Sequence, residues 1–111
     1  MDTRGNVEML LLAVIERTGG GHGYAIISAL REMSSDGFDL SEGTVYPLLH
    51  RMERDGLLAS SWDQSTGRKR KTYLLTTEGR QALSGQHQSW LRYVQTVKLV
   101  LGGVEIEPVT P

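Results

Sequence analysis

Apolar positions along this chain recur first with a helical period, then with a strand period, then with a heptad period. In residues 4–17, Val7, Leu10, Leu11, Val14 and Ile15 mark one face, while Met9, Leu12 and Ala13 occupy much of the rest. A helix apolar on most sides is buried on most sides, so cover from beyond its own subunit is expected here. Gly19-Gly20-Gly21 ends it. Ile26, Ala29, Leu30 and Met33 form the stripe of a second helix over residues 22–35, closed by Ser34-Ser35-Asp36-Gly37. A third helix lies between Leu40 and Leu58, with Val45, Leu48, Leu49 and Met52 at i, i+3, i+4 and i+7. Ser41 is a good N-cap, because its hydroxyl can accept from an otherwise unpaired amide of the first turn. Leu40 and Val45 are placed as a hydrophobic staple. Gly56 stands where a left-handed residue closes the helix.

After Gly56 the period shortens. Leu57–Trp62 and Arg70–Leu75 alternate as strands do, around the turn cluster Asp63-Gln64-Ser65-Thr66-Gly67. They predict a β-hairpin with a basic tip and returning arm, and with Trp62 packed under it. Thr76 then caps a long helix with Glu78 in its first turn, running to Leu101 before Gly102-Gly103. Leu83, His87, Trp90, Val94, Val97 and Leu101 fall at alternating four- and three-residue steps, a heptad seam. At 1.5 Å per residue this helix spans roughly 35–40 Å, more than so small a domain needs internally. Gly85 in its middle costs about 1 kcal/mol against alanine, so packing must hold it.

The predicted chain is therefore mainly α with a small β-hairpin. Three helices followed by a basic hairpin is the order of a winged helix-turn-helix, expected over residues 1–76. A dimerisation helix is expected over 77–103 and a mobile tail over 104–111.

A length of 111 residues bounds the chain to one modest core. No run approaches the roughly 18 apolar residues of a membrane span, and the N-terminus lacks a signal-peptide pattern. No cysteine is present, so neither a disulfide framework nor a thiolate metal site is available. A cytoplasmic protein is expected. The net charge of −1 is no signal for nucleic acid, but its distribution is. Residues 1–60 hold five Arg against nine acidic residues, leaving −4, whereas residues 61–101 hold seven Lys/Arg against two, leaving +5. Arg68, Lys69, Arg70 and Lys71 are consecutive. A basic run alone is usually a solvated face. Beside a helix-turn-helix it reads as a phosphate contact.

The chain resembles the PadR-type transcriptional regulators. The resemblance is carried by His22-Gly23-Tyr24, by Ser41-Glu42-Gly43-Thr44-Val45-Tyr46-Pro47-Leu48-Leu49, and by Arg51-Met52-Glu53-Arg54-Asp55-Gly56-Leu57-Leu58. Trp62, Gly67-Arg68-Lys69-Arg70-Lys71, Tyr73 and Leu75-Thr76-Thr77-Glu78-Gly79-Arg80 complete it, so that about residues 5–101 are covered. It implies a homodimeric winged-helix repressor with one recognition helix and one wing per subunit. The single C-terminal helix resembles that of the family's short subgroup. Some members sense small aromatic compounds near the dimer interface.

The residues themselves suggest roles. Ser41, Gly43 and Thr44 lie at the end of the third helix that reaches base edges. Gly43 allows close approach, and Thr44 can hydrogen-bond a base or meet a thymine methyl. Glu42, which phosphate would repel, is expected either to face a cytosine amino group or to cap the helix, with capping preferred. Tyr46, His50 and Arg51 are expected at phosphates, as is Tyr24 at the first turn of the second helix. Pro47 removes a helical amide and should bend or tighten the helix start. Arg68, Lys69 and Lys71 are expected wing contacts to the backbone or minor groove. Leu10, Leu11, Leu83, His87, Trp90, Val94, Val97 and Leu101 are expected at the dimer interface. Trp90, His87 and Tyr93 are candidate contacts for a small aromatic effector, although a tryptophan on a heptad position is more often core. The three histidines lack metal-ligand spacing. No nucleophilic triad, phosphate loop or paired-carboxylate signature appears, so no cofactor and no enzymatic activity are expected. The rival reading is a winged-helix module that binds a ligand or protein without reading DNA. The weak net charge is its support.

Overall fold

A computed structural model describes residues 3–65 and 67–102. The expected tail, residues 104–111, lies outside them, as does Gly103. The chain forms α1 (Thr3–Thr18), β1 (Gly21–His22), α2 (Gly23–Met33), α3 (Glu42–Arg54), β2 (Leu58–Asp63), β3 (Arg70–Leu75) and α4 (Thr77–Val100). The architecture is mainly helical with one small antiparallel sheet, as the periodicity predicts. No described helix is long and apolar enough to cross a membrane.

Each boundary has a local cause. The Ser41 side chain accepts from the Thr44 amide at the start of α3, and Thr76 accepts from the Gly79 amide at the start of α4. Gly56 and Gly102 take left-handed backbone just past the two helix ends, at φ 79° and 69°. His22 caps α2, its ring accepting from the Ala25 amide.

The core joins α1 (Leu11, Leu12, Val14, Ile15), α2 (Ile26, Ile27, Leu30) and α3 (Val45, Leu49, Met52) with Leu58 of β2 and Tyr73 of β3. One expectation for α1 changes here. Leu12, beside the stripe of Val7, Leu10, Leu11, Val14 and Ile15, is wholly buried. Leu11, expected at a subunit interface, is also wholly buried in its own subunit's core and has no surface left for a partner. Leu10 and Leu83 are partly buried against the same core. In α4, Trp90, Val94 and Val97 are half-buried and His87 is exposed.

The sheet has three strands in the order β1-β3-β2, where the sequence predicts two. Gly21 pairs with Tyr73 and His22 with Thr72, so the glycine run after α1 returns as a short edge strand. This pairing ties the start of α2 to the base of the hairpin. The β2–β3 register places Ser60 opposite Tyr73, Trp62 opposite Lys71 and Asp63 opposite Arg70. Residues directly opposite share a face. Leu58, Ser60 and Trp62 therefore face the same way as Leu75, Tyr73 and Lys71. The near end of that face covers the core, and its far end overhangs α3.

Candidate nucleic-acid interface

The outward face of α3 begins at its capped end. Ser41, Gly43, Thr44, Pro47, His50 and Arg51 are all exposed. Gly43, Pro47, His50 and Arg54 stand at i, i+4, i+7 and i+11, which puts them on one face directly opposite Val45, Leu49 and Met52. Arg54 thus joins the expected set. Thr44 lies on the flank, and its hydroxyl shares a hydrogen bond of 3.1 Å with that of Ser41. Arg51 lies 4.0 Å from Asp55, one turn on. Pro47 sits inside the helix and has no amide to donate to the carbonyl of Gly43. That carbonyl is left without its normal helical donor at the exposed tip of α3. Glu42 is the first helical residue. The cap itself is made by Ser41, as its position predicts, and no cap contact is formed by Glu42 among the described hydrogen bonds.

Tyr46 is half-buried and not on the open face. Its ring lies over Gly23 so closely that a side chain at Gly23 would overlap it. Tyr24, next in sequence, is 58% exposed. The glycine thus lets α2 and α3 approach with one tyrosine between them and the other free.

The wing departs from expectation at two residues. Lys71, expected at DNA, donates to Glu53 of α3 at 2.6 Å. Glu53 also accepts from the Ser60 hydroxyl. The Lys71 ammonium, helped by the Ser60 hydroxyl, holds the Glu53 carboxyl below the ordinary carboxylate range. The same contact holds Lys71 above the ordinary lysine value. This ion pair ties the wing to α3 and leaves Lys71 with its charge already matched by a carboxylate. Trp62, expected under the wing, is 60% exposed with the Lys69 ammonium 4.8 Å from its ring centre. The alternation placed it on the correct face, but the core stops short of it. Arg68 and Lys69 remain exposed at the tip.

Between the wing and α3 lies a groove of about 480 Å³, lined among others by His22, Tyr24, Tyr46, His50, Trp62 and Arg70. His22, Trp62 and Arg70 were not expected there. Alternation could have placed Trp62 and Arg70 on faces, but only the β1–β3 register brings His22 beside Arg70. A second groove, about 380 Å³, runs between α1 and α4 and is lined by Asn6, Met9, Gly85, Gln86, Ser89, Trp90 and Tyr93. Trp90 and Tyr93 stack there with ring centres 6.0 Å apart. His87 does not line it.

A helix-turn-helix whose second helix presents a polar outer face, flanked by a cation-tipped hairpin, defines a winged-helix protein of the DNA-binding class. Comparison with known proteins gives the family. The sequence profile of the PadR-like transcriptional regulators matches residues 11–85, and the chain belongs to that family. A transcriptional regulator of Mycobacterium tuberculosis is 41% identical over 73 residues, which are 66% of this chain and 65% of that protein. The chain thus matches just under two thirds of that relative's length. A PadR family regulator from Eggerthella lenta has a similar structure, with a TM-score of 0.76, 33% identity, and 88% of this chain and 83% of that one covered. One from Clostridium difficile has a TM-score of 0.71 and 35% identity, covering 86% and 96%. The family is one of transcriptional regulators.

Proposed function

We propose that the protein is a homodimeric repressor that binds a pseudo-palindromic operator. The observation that carries this is the continuous surface made by the outward face of α3 and the Arg68–Lys69 tip, held in one frame by the Glu53–Lys71 pair. Gly43, Ser41 and Thr44 read base edges in the major groove, and the wing rides on the flanking backbone. His50, Arg51 and Tyr24 hold the groove walls. The dimer forms along α4, whose Trp90, Val94, Val97 and Leu101 continue beyond the core of their own subunit. Two-fold symmetry then sets half-sites about one or two helical turns apart. The α1–α4 groove, with its stacked Trp90 and Tyr93, supports a small planar aromatic effector seated beside the dimer seam.

Selection of bound sequences from random DNA tests the reading, followed by affinity measurements across a salt series. Arg68→Ala and Lys69→Ala should each weaken binding to all sequences and reduce the salt slope by about 1. Lys71→Ala should change the slope less, because its charge already faces Glu53. An enriched pool without dyad symmetry would overturn the paired-site reading. Unchanged slopes in both tip variants would remove the wing contact.

A further inference from the structure

We propose that His22 and Arg70 together clamp a single phosphate of the DNA backbone at the inner end of the wing groove. The proposal rests on the DNA-binding reading above and adds a specific site to it. It starts from a conflict between two contacts of one ring. His22 Nδ1 accepts from the Ala25 amide at 3.3 Å as the cap of α2. A neutral imidazole has one donor and one acceptor nitrogen, so the proton then sits on Nε2. Nε2 faces a guanidinium nitrogen of Arg70 at 3.3 Å, and guanidinium nitrogens carry only donors. Two donors thus meet with no lone pair between them. The other tautomer would let Nε2 accept from Arg70, but its Nδ1 proton would abolish the cap. Neither neutral form satisfies both contacts, and a doubly protonated ring satisfies neither.

An anionic oxygen placed between the two groups resolves the conflict without moving a proton. It accepts from His22 Nε2–H and from Arg70 together, and the cap at Nδ1 stays intact. The surroundings favour an anion. Lys69 lines the same groove, and Tyr24 offers an exposed hydroxyl. The other charged or titratable groups lining it are Glu42, Tyr46, His50, Lys71 and Tyr73, and Lys71 is already paired with Glu53. Asp63 of β2, opposite Arg70, is the one nearby carboxylate acting on both groups. It makes no ion pair with Arg70 among the described residues, and it accepts instead from the Ser65 amide at 2.8 Å. Arg70 is therefore a cation beside His22 with no carboxylate partner within ion-pair distance in the described structure. A groove between a reading helix and its wing faces the sugar–phosphate strand that separates the major from the minor groove. The occupant is then a backbone phosphodiester and not a base.

The test is a methylphosphonate scan of the selected duplex, in which one phosphate at a time is made neutral. Wild type should lose affinity about ten-fold at one linkage per half-site. The same neutralisation should have little effect on the double variant His22→Ser/Arg70→Ala. On unmodified DNA each single variant should lose about as much as the double, because both groups act on one phosphate. Serine keeps the cap of α2, and His22→Asn, which keeps both an acceptor and a donor, should retain most of the affinity. Circular dichroism and melting of each variant check the fold. Additive losses, or no linkage whose neutralisation becomes silent in the double variant, overturn the clamp while leaving the DNA-binding reading intact. Failure of wild type to bind any duplex overturns both.

Discussion

Gly79 is buried one turn into α4, and a side chain there would run into the backbone carbonyl of Leu57. Backbone cannot rotate away as a side chain can. Gly79→Ala is expected to cost about 2–4 kcal/mol. Thermal melting reads this, and an unchanged midpoint would mean that α4 shifts freely on β2. The Glu53–Lys71 pair makes a prediction about pH. Its side chains are 29% and 28% exposed, so it lies between a surface and a buried pair. Glu53, held low, contributes stability above the ordinary glutamate range, and that contribution is lost as pH falls through the depressed value. Lys71, held high, contributes below the ordinary lysine range and loses its part only as pH rises through the raised value. Near neutrality both contributions are therefore present. Lys71→Met should lower stability by about 1 kcal/mol at neutral pH. The gap from wild type in urea titrations should close below about pH 4. A gap that persists in acid would assign the effect to the contact of Lys71 with the Tyr73 ring, whose centre lies 5.5 Å from the ammonium.

At the scale of the element, α3 is built against its own propensity. Pro47 removes the helical donor of the Gly43 carbonyl, at a position past the first turn where proline is tolerated. Pro47→Ala should restore that bond and raise stability by about 1–3 kcal/mol, while weakening DNA binding. A lower melting point would show instead that the proline is needed to seat Val45 and Leu49. The helices were legible because their signals are local. Ser41, Gly56 and Thr76 act on backbone within a turn of themselves, and the stripe of α3 needs no knowledge of its neighbours. β1 was not legible, since two residues have no alternation and Gly21 finds Tyr73 only through the tertiary fold. The same limit governed the wing. Period 2 gives the face of Trp62 and Lys71 but not the point where the core ends along it. Trp62 therefore emerged in the open and Lys71 against Glu53. Leu11 and Leu12 mark a third limit. Both are apolar on a helix apolar nearly all round, and only packing shows which sides a single subunit covers.

The whole molecule extends 56 × 34 × 22 Å, with a radius of gyration of 16.3 Å. A compact chain of this length would have about 13 Å. The excess is α4, which leaves Leu91, Tyr93, Leu99, Val100 and Leu101 substantially exposed. Val97→Glu with Leu101→Glu should convert a dimer to a monomer in sedimentation and weaken operator binding by at least about ten-fold, since avidity is lost. A dimer that survives both charges would place the seam elsewhere. The root of α4 is fastened to the end of the reading helix. Thr76 donates its hydroxyl to the Gly56 carbonyl at 2.6 Å and its amide to that of Leu57 at 3.1 Å, with Gly79 pressed against the same segment. α4 is thus a lever hinged at neither end of that joint. A tilt of about 5° over its length displaces the far end by roughly 3 Å. In a pair clasped along α4, a small torsion at the clasp changes the gauge between the two reading heads without loosening either. A signal delivered this way would leave melting and circular dichroism unchanged, spare binding to an isolated half-site, and abolish binding to two half-sites at fixed separation.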